Sequence, residues 1–162
     1  KIDIRDLSNY DGYKLDWYIG WFLDINFSRY SKINEYINNS DDYIGSIGNS
    51  FYYYNGYLVI EIYALTSLCD DFENIVISTA NGISDDDREL FELVKKNSIT
   101  SLSVRKDSIS NYVRPIEDNY ITFDYAEVDD IDVIKNFSYD DYKKVINSID
   151  FSYYSVFYRK KK

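Results

Sequence analysis

The sequence predicts an α+β fold, a twisted antiparallel sheet of five to seven strands with about three helices packed mainly on one face. Three observations carry this expectation. Ser50 to Leu65 reads as a β-hairpin about Asn55-Gly56, because a type I′ turn needs φ > 0 at both central residues. Residues 15–27 alternate with the period of a strand. Ser84-Asp85-Asp86-Asp87 and Ser138-Tyr139-Asp140-Asp141 are acidic versions of a capping box, each followed by an apolar stripe at helical spacing. A β-sandwich or barrel with peripheral helices is the alternative architecture.

Taken in order, residues 15–27 place Leu15, Trp17, Ile19, Trp21, Leu23, Ile25 and Phe27 on one face. Lys14, Asp16, Tyr18, Gly20, Phe22, Asp24 and Asn26 fall on the other. Fully extended, this stretch spans about 40 Å, so the strand is expected to kink or bulge at Gly20. Residues 29–39 follow a Ser28 cap, with Tyr30, Ile33, Tyr36 and Ile37 spaced for a short helix. Residues 41–49 read as loop. In the hairpin, Tyr54 faces Tyr57, Tyr53 faces Leu58, Tyr52 faces Val59 and Phe51 faces Ile60. Phe51, Tyr53, Leu58, Ile60, Ile62 and Ala64 then form a core face, and Tyr52, Tyr54, Tyr57, Val59, Glu61 and Tyr63 an outer one.

Beyond the hairpin, residues 68–72 read as an acidic connection and 74–79, with Ile75, Val76 and Ile77 in a row, as a short strand. Ser84 opens a helix through Leu90, Phe91, Leu93 and Val94 to Lys95-Lys96, with charges placed to suit its dipole. Strands are expected over 100–105 and 120–128, with 108–119 a loop or edge around Pro115, the only proline. Residues 129–137 fit a loop or a short helix. A helix after Ser138 carries Tyr142, Val145, Ile146 and Ile149, and a last strand covers 151–158. With no repeat or linker, residues 1–158 read as one domain, followed by the basic tail 159–162.

Composition bounds the function. The 162-residue chain has a net charge of −10, and without Arg159, Lys160, Lys161 and Lys162 it holds 14 basic residues against 28 acidic ones. Nucleic acid and anionic membranes require a basic footprint, so neither is expected as a partner; a cationic protein is. The lone Cys69 excludes an internal disulfide framework and fits a reducing compartment. No apolar run approaches the roughly 18 residues of a membrane span, and no signal-peptide pattern opens the sequence, so a cytoplasmic location is expected. Asn26, Asn38 and Asn136 head glycosylation tripeptides, read as incidental. Abundant Ile, Asn, Tyr, Asp and Lys with scarce Ala and Pro is what an AT-rich gene encodes, a composition common in mobile bacterial islands and several virus groups.

The chemistry is defined by what is missing. With no histidine and one cysteine, the usual general base, the Ser-His and Cys-His nucleophiles and a thiolate zinc site are all excluded. No phosphate-binding glycine motif occurs. Asp129, Asp130 and Asp132 are dense, but an EF-hand loop begun at Asp130 would need an oxygen ligand at Ile134 and a glycine at Lys135. No enzyme activity, cofactor or metal is expected. Paired carboxylates of a glycosidase type remain formally available, with no specificity in a chain holding 28 acids.

What remains is acid beside tyrosine, of which there are 19. Asp85, Asp86, Asp87, Glu89, Asp140 and Asp141 lie in first helical turns, where the dipole stabilises them. Asp41, Asp42, Asp70, Asp71, Glu73, Asp129, Asp130 and Asp132 are expected in loops, where solvation and partner binding compete as explanations. The outer hairpin residues Tyr52, Tyr54, Tyr57, Glu61 and Tyr63 have three readings: covered by a helix, paired with a second copy, or bound to a partner.

In size, acidity, absence of histidine and composition the chain resembles the immunity proteins that neutralise bacterial toxins of the contact-dependent growth inhibition and polymorphic-toxin kinds. The likeness is one of class and no motif carries it. It implies a non-catalytic antitoxin that blocks a cationic toxin, a nuclease in many such pairs, through the acids and tyrosines just named. The alternative is a virus- or phage-encoded interaction protein that binds a host factor; a carboxylate-dependent enzyme or a glycan binder is the third reading.

Overall fold

Residues 15–27, expected as a strand, belong to a helix, and the rest of the molecule is arranged around it. The computed structural model describes residues 9–28, 33, 44–55, 57–66, 69–81, 83–105, 109–124, 130–152 and 154–157. Helix α1 runs Asn9–Phe27, about 28 Å long at 1.5 Å per residue. A hairpin follows, β1 (Ile44–Tyr54) and β2 (Tyr57–Thr66). Then come α2 (Cys69–Ala80), a 3₁₀ turn (Asp85–Asp87), α3 (Arg88–Arg105), α4 (Ile109–Phe123), α5 (Asp130–Lys135) and α6 (Tyr139–Asn147). Among the described residues there are six helices and one two-stranded antiparallel sheet, so the expected five- to seven-stranded sheet is overturned.

The reason lies in α1. The second face of the supposed strand is no solvent face: Tyr18 and Phe22 are as deeply buried as Ile19 and Trp21. A segment with buried side chains on both of these faces must satisfy its backbone internally or between two neighbouring strands. A helix does so unaided, and it also brings Leu15, Tyr18, Ile19 and Phe22 onto one side. Trp21 lies edge-on to Phe91 of α3 at 5.3 Å, and its indole N–H donates to Ser98 Oγ at 2.9 Å. Tyr18 meets Tyr142 of α6 at 5.6 Å and Phe137 at 5.2 Å. Its hydroxyl donates to Asp141 at 3.2 Å, the carboxylate that Lys14 approaches at 2.9 Å.

Elsewhere, too, short β-branched runs proved helical. Residues 74–79 lie in α2, where Phe72, Ile75, Val76 and Ala80 recur at helical spacing toward the core. Residues 100–105 are the last turns of α3, which carries Val94, Ile99 and the buried Leu102 inward. Of the supposed loop 108–119, residues 109–119 lie in α4, a helix with Pro115 inside it; the proline removes one intrahelical donor at a cost of about 3 kcal/mol. Of the strand expected over 120–128, residues 120–123 close α4. Asp124 then ends the helix in the left-handed region at φ 50°, donating its N–H to the Tyr120 carbonyl; residues 125–128 lie outside the described residues. Residues 151–152 form a turn and 154–157 have no regular structure, so the last strand is absent there. Phe151 instead stacks on Phe22 at 5.5 Å. The helix expected over 29–39 lies outside the described residues except for Ile33, which is buried.

Local turn and cap chemistry behaved as expected. Asn55 has φ 51°, and the register pairs Tyr54 with Tyr57, Tyr53 with Leu58, Tyr52 with Val59 and Phe51 with Ile60. The strand extends further back than expected, since 44–49, expected as loop, continue β1. The Ser84 N–H donates to the Asp87 carboxylate at 3.1 Å, and Ser138 Oγ accepts from the Asp141 N–H at 3.2 Å. Lys95 of α3 donates to the carbonyls of Lys135 and Phe137, closing the C-terminal end of α5.

The hairpin gains its stability by lying on α1, since two strands alone are marginal in water. Ile47, Phe51, Tyr53, Leu58, Ile60 and Ile62 join the core, and Asn49 donates its amide to the Phe27 carbonyl at 3.1 Å. Gly20, expected as a strand kink, sits mid-helix beneath Phe51; a Cβ there would stand 4.0 Å from the ring, an ordinary contact. Gly20→Ala is therefore expected to stabilise the protein by about 0.5–1 kcal/mol in urea unfolding, as removal of a mid-helix glycine should. A strand at this position would gain nothing of the kind.

Candidate functional site

The candidate site is the outer face of the hairpin. The register sets Ser50 opposite Glu61, Gly48 opposite Tyr63 and Tyr52 opposite Val59 on this side. Tyr52, Tyr54, Tyr63 and Leu65 are 44%, 64%, 60% and 67% exposed, whereas Tyr57 and Val59 are half-buried. Of the three readings of this face, coverage by a helix is thereby set aside for Tyr52, Tyr54 and Tyr63. Glu61 lies among them, accepting from Ser50 Oγ and the Tyr52 hydroxyl, both at 3.2 Å. The bond to Glu61 raises the Tyr52 hydroxyl above the usual phenol range.

Gly48 is part of this surface. The Tyr63 ring lies across it, so close that a Cβ on Gly48 would stand 2.2 Å from the ring. The missing side chain lets the ring lie flat along the sheet. Leu65, Ser50 and Gly48 were not singled out from the sequence, although extending the two-residue period from Tyr63 reaches Leu65 directly.

The acids expected in loops are distributed otherwise. Asp70 and Asp71 open α2, and Asp130 opens α5, so all three are helix-start acids of the kind the dipole favours. Glu73 is half-buried and accepts a hydrogen bond from the Tyr154 hydroxyl. Asp132 pairs with Lys135 in the same helix at 2.8 Å. Asp41, Asp42 and Asp129 lie outside the described residues. Because α2 follows β2 and touches it, its acidic first turn stands at the Leu65 end of the strand.

Of the acids at the starts of the 3₁₀ turn and α6, Asp85, Asp140 and Asp141 pair with cations of the body, although Asp85 and Asp140 stay exposed. Arg88 reaches Asp140 at 2.8 Å while lying 4.7 Å over the Tyr139 ring. Lys143 reaches Asp85 at 2.9 Å. Their hydrogen bonds to Lys143 and Lys14 hold Asp85 and Asp141 below the usual carboxylate range. Burial, reinforced by Asp87 and Asp85, pushes the Tyr139 hydroxyl up to about 12, and it donates to the Ser84 carbonyl. These contacts fasten α1, α3 and α6 together.

Among the described residues no group of three or more His, Cys, Asp or Glu is placed to hold a metal ion, and no helix is long and apolar enough to cross a membrane. Asn26, which heads a glycosylation tripeptide, is fully buried and donates its amide to the Phe22 carbonyl at 2.8 Å. Comparisons of the chain with protein-family models, with curated proteins and with solved structures gave no match.

One carboxylate escaped the sequence reading. Asp16 of α1 lies beneath the hairpin and accepts from the Tyr53 hydroxyl at 3.3 Å; burial raises its pKa from 3.8 to about 6. Ionising it costs stability. The cost is absent below 3.8, where the carboxyl is protonated both folded and unfolded, and complete above about 6. The shift corresponds to at most about 3 kcal/mol, and to roughly 1–2 after allowing for the partial exposure of the group. Asp16→Asn retains an oxygen for Tyr53. It is expected to be more stable than the parent by about 1–2 kcal/mol near pH 7.5, the difference closing below about pH 4 in urea titrations. A difference independent of pH would contradict the assignment.

Proposed function

We propose that this chain is a non-catalytic, acidic inhibitor of the immunity type, which binds a cationic protein through the outer face of its hairpin. The observation that supports this most directly is the exposed set Tyr52, Tyr54, Tyr63 and Leu65 around the Glu61 carboxylate. Tyrosines cover area at low rotamer cost and keep a hydroxyl for hydrogen bonding, which suits the desolvated centre of an interface. A carboxylate already oriented by Ser50 and Tyr52 offers a lysine or arginine a fixed acceptor. The net charge of −10 adds long-range attraction, and steering of this kind raises association rates toward about 10⁸–10⁹ M⁻¹s⁻¹.

The proposed target is a basic toxin, with nucleases the first class to examine because their substrate sites are themselves cationic. The role of the acids differs from that of the tyrosines. Asp70 and Asp71 at the start of α2 guide the encounter, whereas Glu61 and the aromatic face hold the complex.

Capture from the native host with the tagged chain, followed by mass spectrometry, is expected to retain a cationic protein that Glu61→Lys and Tyr63→Ala each retain poorly. With that partner purified, each variant should weaken binding by about 10- to 100-fold, chiefly through faster dissociation. Reversing Asp70 and Asp71 should slow association and flatten its salt dependence. Equal affinity of the hairpin variants and the parent would remove this face from the interface.

A further inference from the structure

The two-residue turn fixes which backbone groups of the hairpin are spent inside it. Tyr54 and Tyr57, flanking the turn, form a hydrogen-bonded pair, and so in step do Tyr52 with Val59, Ser50 with Glu61 and Gly48 with Tyr63. The residues of β2 that lie between, Leu58, Ile60, Ile62 and Ala64, turn their N–H and C=O groups away from β1. Among the described residues no third strand adjoins β2, and none of these four forms a backbone hydrogen bond outside the hairpin. We propose that this edge of β2 takes up an extended segment of the cationic partner as a third, antiparallel strand, with a lysine or arginine of that segment beside Glu61.

The two edges of the hairpin are not equivalent. β1 is laid on α1 and tied to it by Asn49 at the Phe27 carbonyl and by Tyr53 at Asp16, whereas β2 adjoins α2, which follows it in the chain. Edge strands are ordinarily shielded by lysines, prolines or bulges. From Tyr57 to Leu65, β2 holds no lysine, arginine or proline and pairs without a register shift. The Tyr63 ring lies across Gly48, on the β1 side, and so does not screen the edge.

A row of unpaired backbone groups recognises an extended chain of any sequence, and the side chains alongside select among sequences. An added strand lies about 4.8 Å from β2. Its residues opposite Ile60 and Ile62, which are half-buried, turn toward the core side, and the residue between them turns outward beside Glu61. Glu61 is the one charged residue of β2, exposed, with its carboxylate held by Ser50 and Tyr52 of β1. A lysine or arginine is long enough to reach it from the added strand. The segment that fits is therefore aliphatic, basic and aliphatic in succession. A second copy offers the opposite, since its own β2 presents glutamate without a cation and brings a further net charge of −10.

Strand addition rests on the reading of the outer face as a partner surface and adds how the partner is gripped, by its main chain as well as its cation. Amide hydrogen exchange of the full chain, followed by nuclear magnetic resonance, tests it with a capped peptide of alternating valine and arginine as the probe. Without peptide, the amides of Ile60, Ile62 and Ala64 should exchange fast and those of Val59, Glu61 and Tyr63 slowly. The peptide should slow the first set by about tenfold or more and leave Asn49 and Phe51 on the β1 edge unaltered. The same peptide with its valines N-methylated keeps every charge but loses the donors facing β2, and should bind about tenfold more weakly or worse. Ala64→Pro removes an outward donor and no ladder bond, and should weaken the unmodified peptide by about as much, as should Glu61→Lys. Outward amides already protected without peptide, because another segment of the chain or a second copy lies there, overturn the proposal. So does equal binding of the N-methylated peptide, or binding that leaves those amides unprotected. Equal binding to Glu61→Lys overturns the place given to the cation. A cationic host protein that Glu61→Lys and Tyr63→Ala lose but Ala64→Pro retains in full would uphold the outer face and reject strand addition.

Discussion

Everything in this structure depends on surrounding one helix. α1 presents Tyr13, Leu15, Tyr18, Ile19, Trp21, Phe22, Leu23, Ile25 and Phe27 to the interior, and no single neighbour can cover such a set. α3 and α6 close one side with Phe91, Tyr139 and Tyr142, while β1 and α4 adjoin it elsewhere. The aromatic rings meet mainly edge to face or tilted, 5.0–6.0 Å apart in the cluster of Tyr18, Trp21, Phe91, Phe137, Tyr139 and Tyr142. Such pairs add about 0.5–1.5 kcal/mol each beyond their buried area. The hairpin is a lid on this arrangement, and its outer face is free to carry function because its inner face is committed.

Where the sequence spoke through local chemistry, it could be read. Asn55-Gly56 required a tight turn whatever lay around it, and the register followed from that turn. Ser84 and Ser138 announced helix starts because orphan N–H groups there need an acceptor. Outside these points the signal was periodicity, and periodicity failed on short or uniformly apolar runs. Ile75-Val76-Ile77 looks like a strand at its own length; only Phe72 and Ala80, a turn away on either side, reveal the helix. In α1 the alternation was genuine but uninformative, since the intervening Tyr18 and Phe22 are as apolar in body as their neighbours.

The candidate face was legible for the same reason as the turn: once the register was set, the side chains sorted themselves. The acids were less so. Asp70, Asp71 and Asp130 read as loop residues because 68–72 reads as a connection and 129–137 as either a loop or a short helix, so the dipole that explains them is out of view in the sequence. Asp16 was hidden differently, since its partner Tyr53 is 37 residues away and only the packing of β1 on α1 brings them together. Long-range pairs of this kind leave no trace in spacing.

Both tryptophans of the chain, Trp17 and Trp21, belong to α1, with their rings 5.8 Å apart. Indole emission therefore samples one helix alone, and through Trp21 its contact with Phe91 and Ser98. Of the 19 tyrosines, all but Tyr10, Tyr13 and Tyr18 lie outside that helix in the sequence, and they act as donors of excitation to that single acceptor pair. Exciting the phenols and watching the indoles thus gives an intrinsic optical gauge of how closely the outer layers surround the central helix, without any added label.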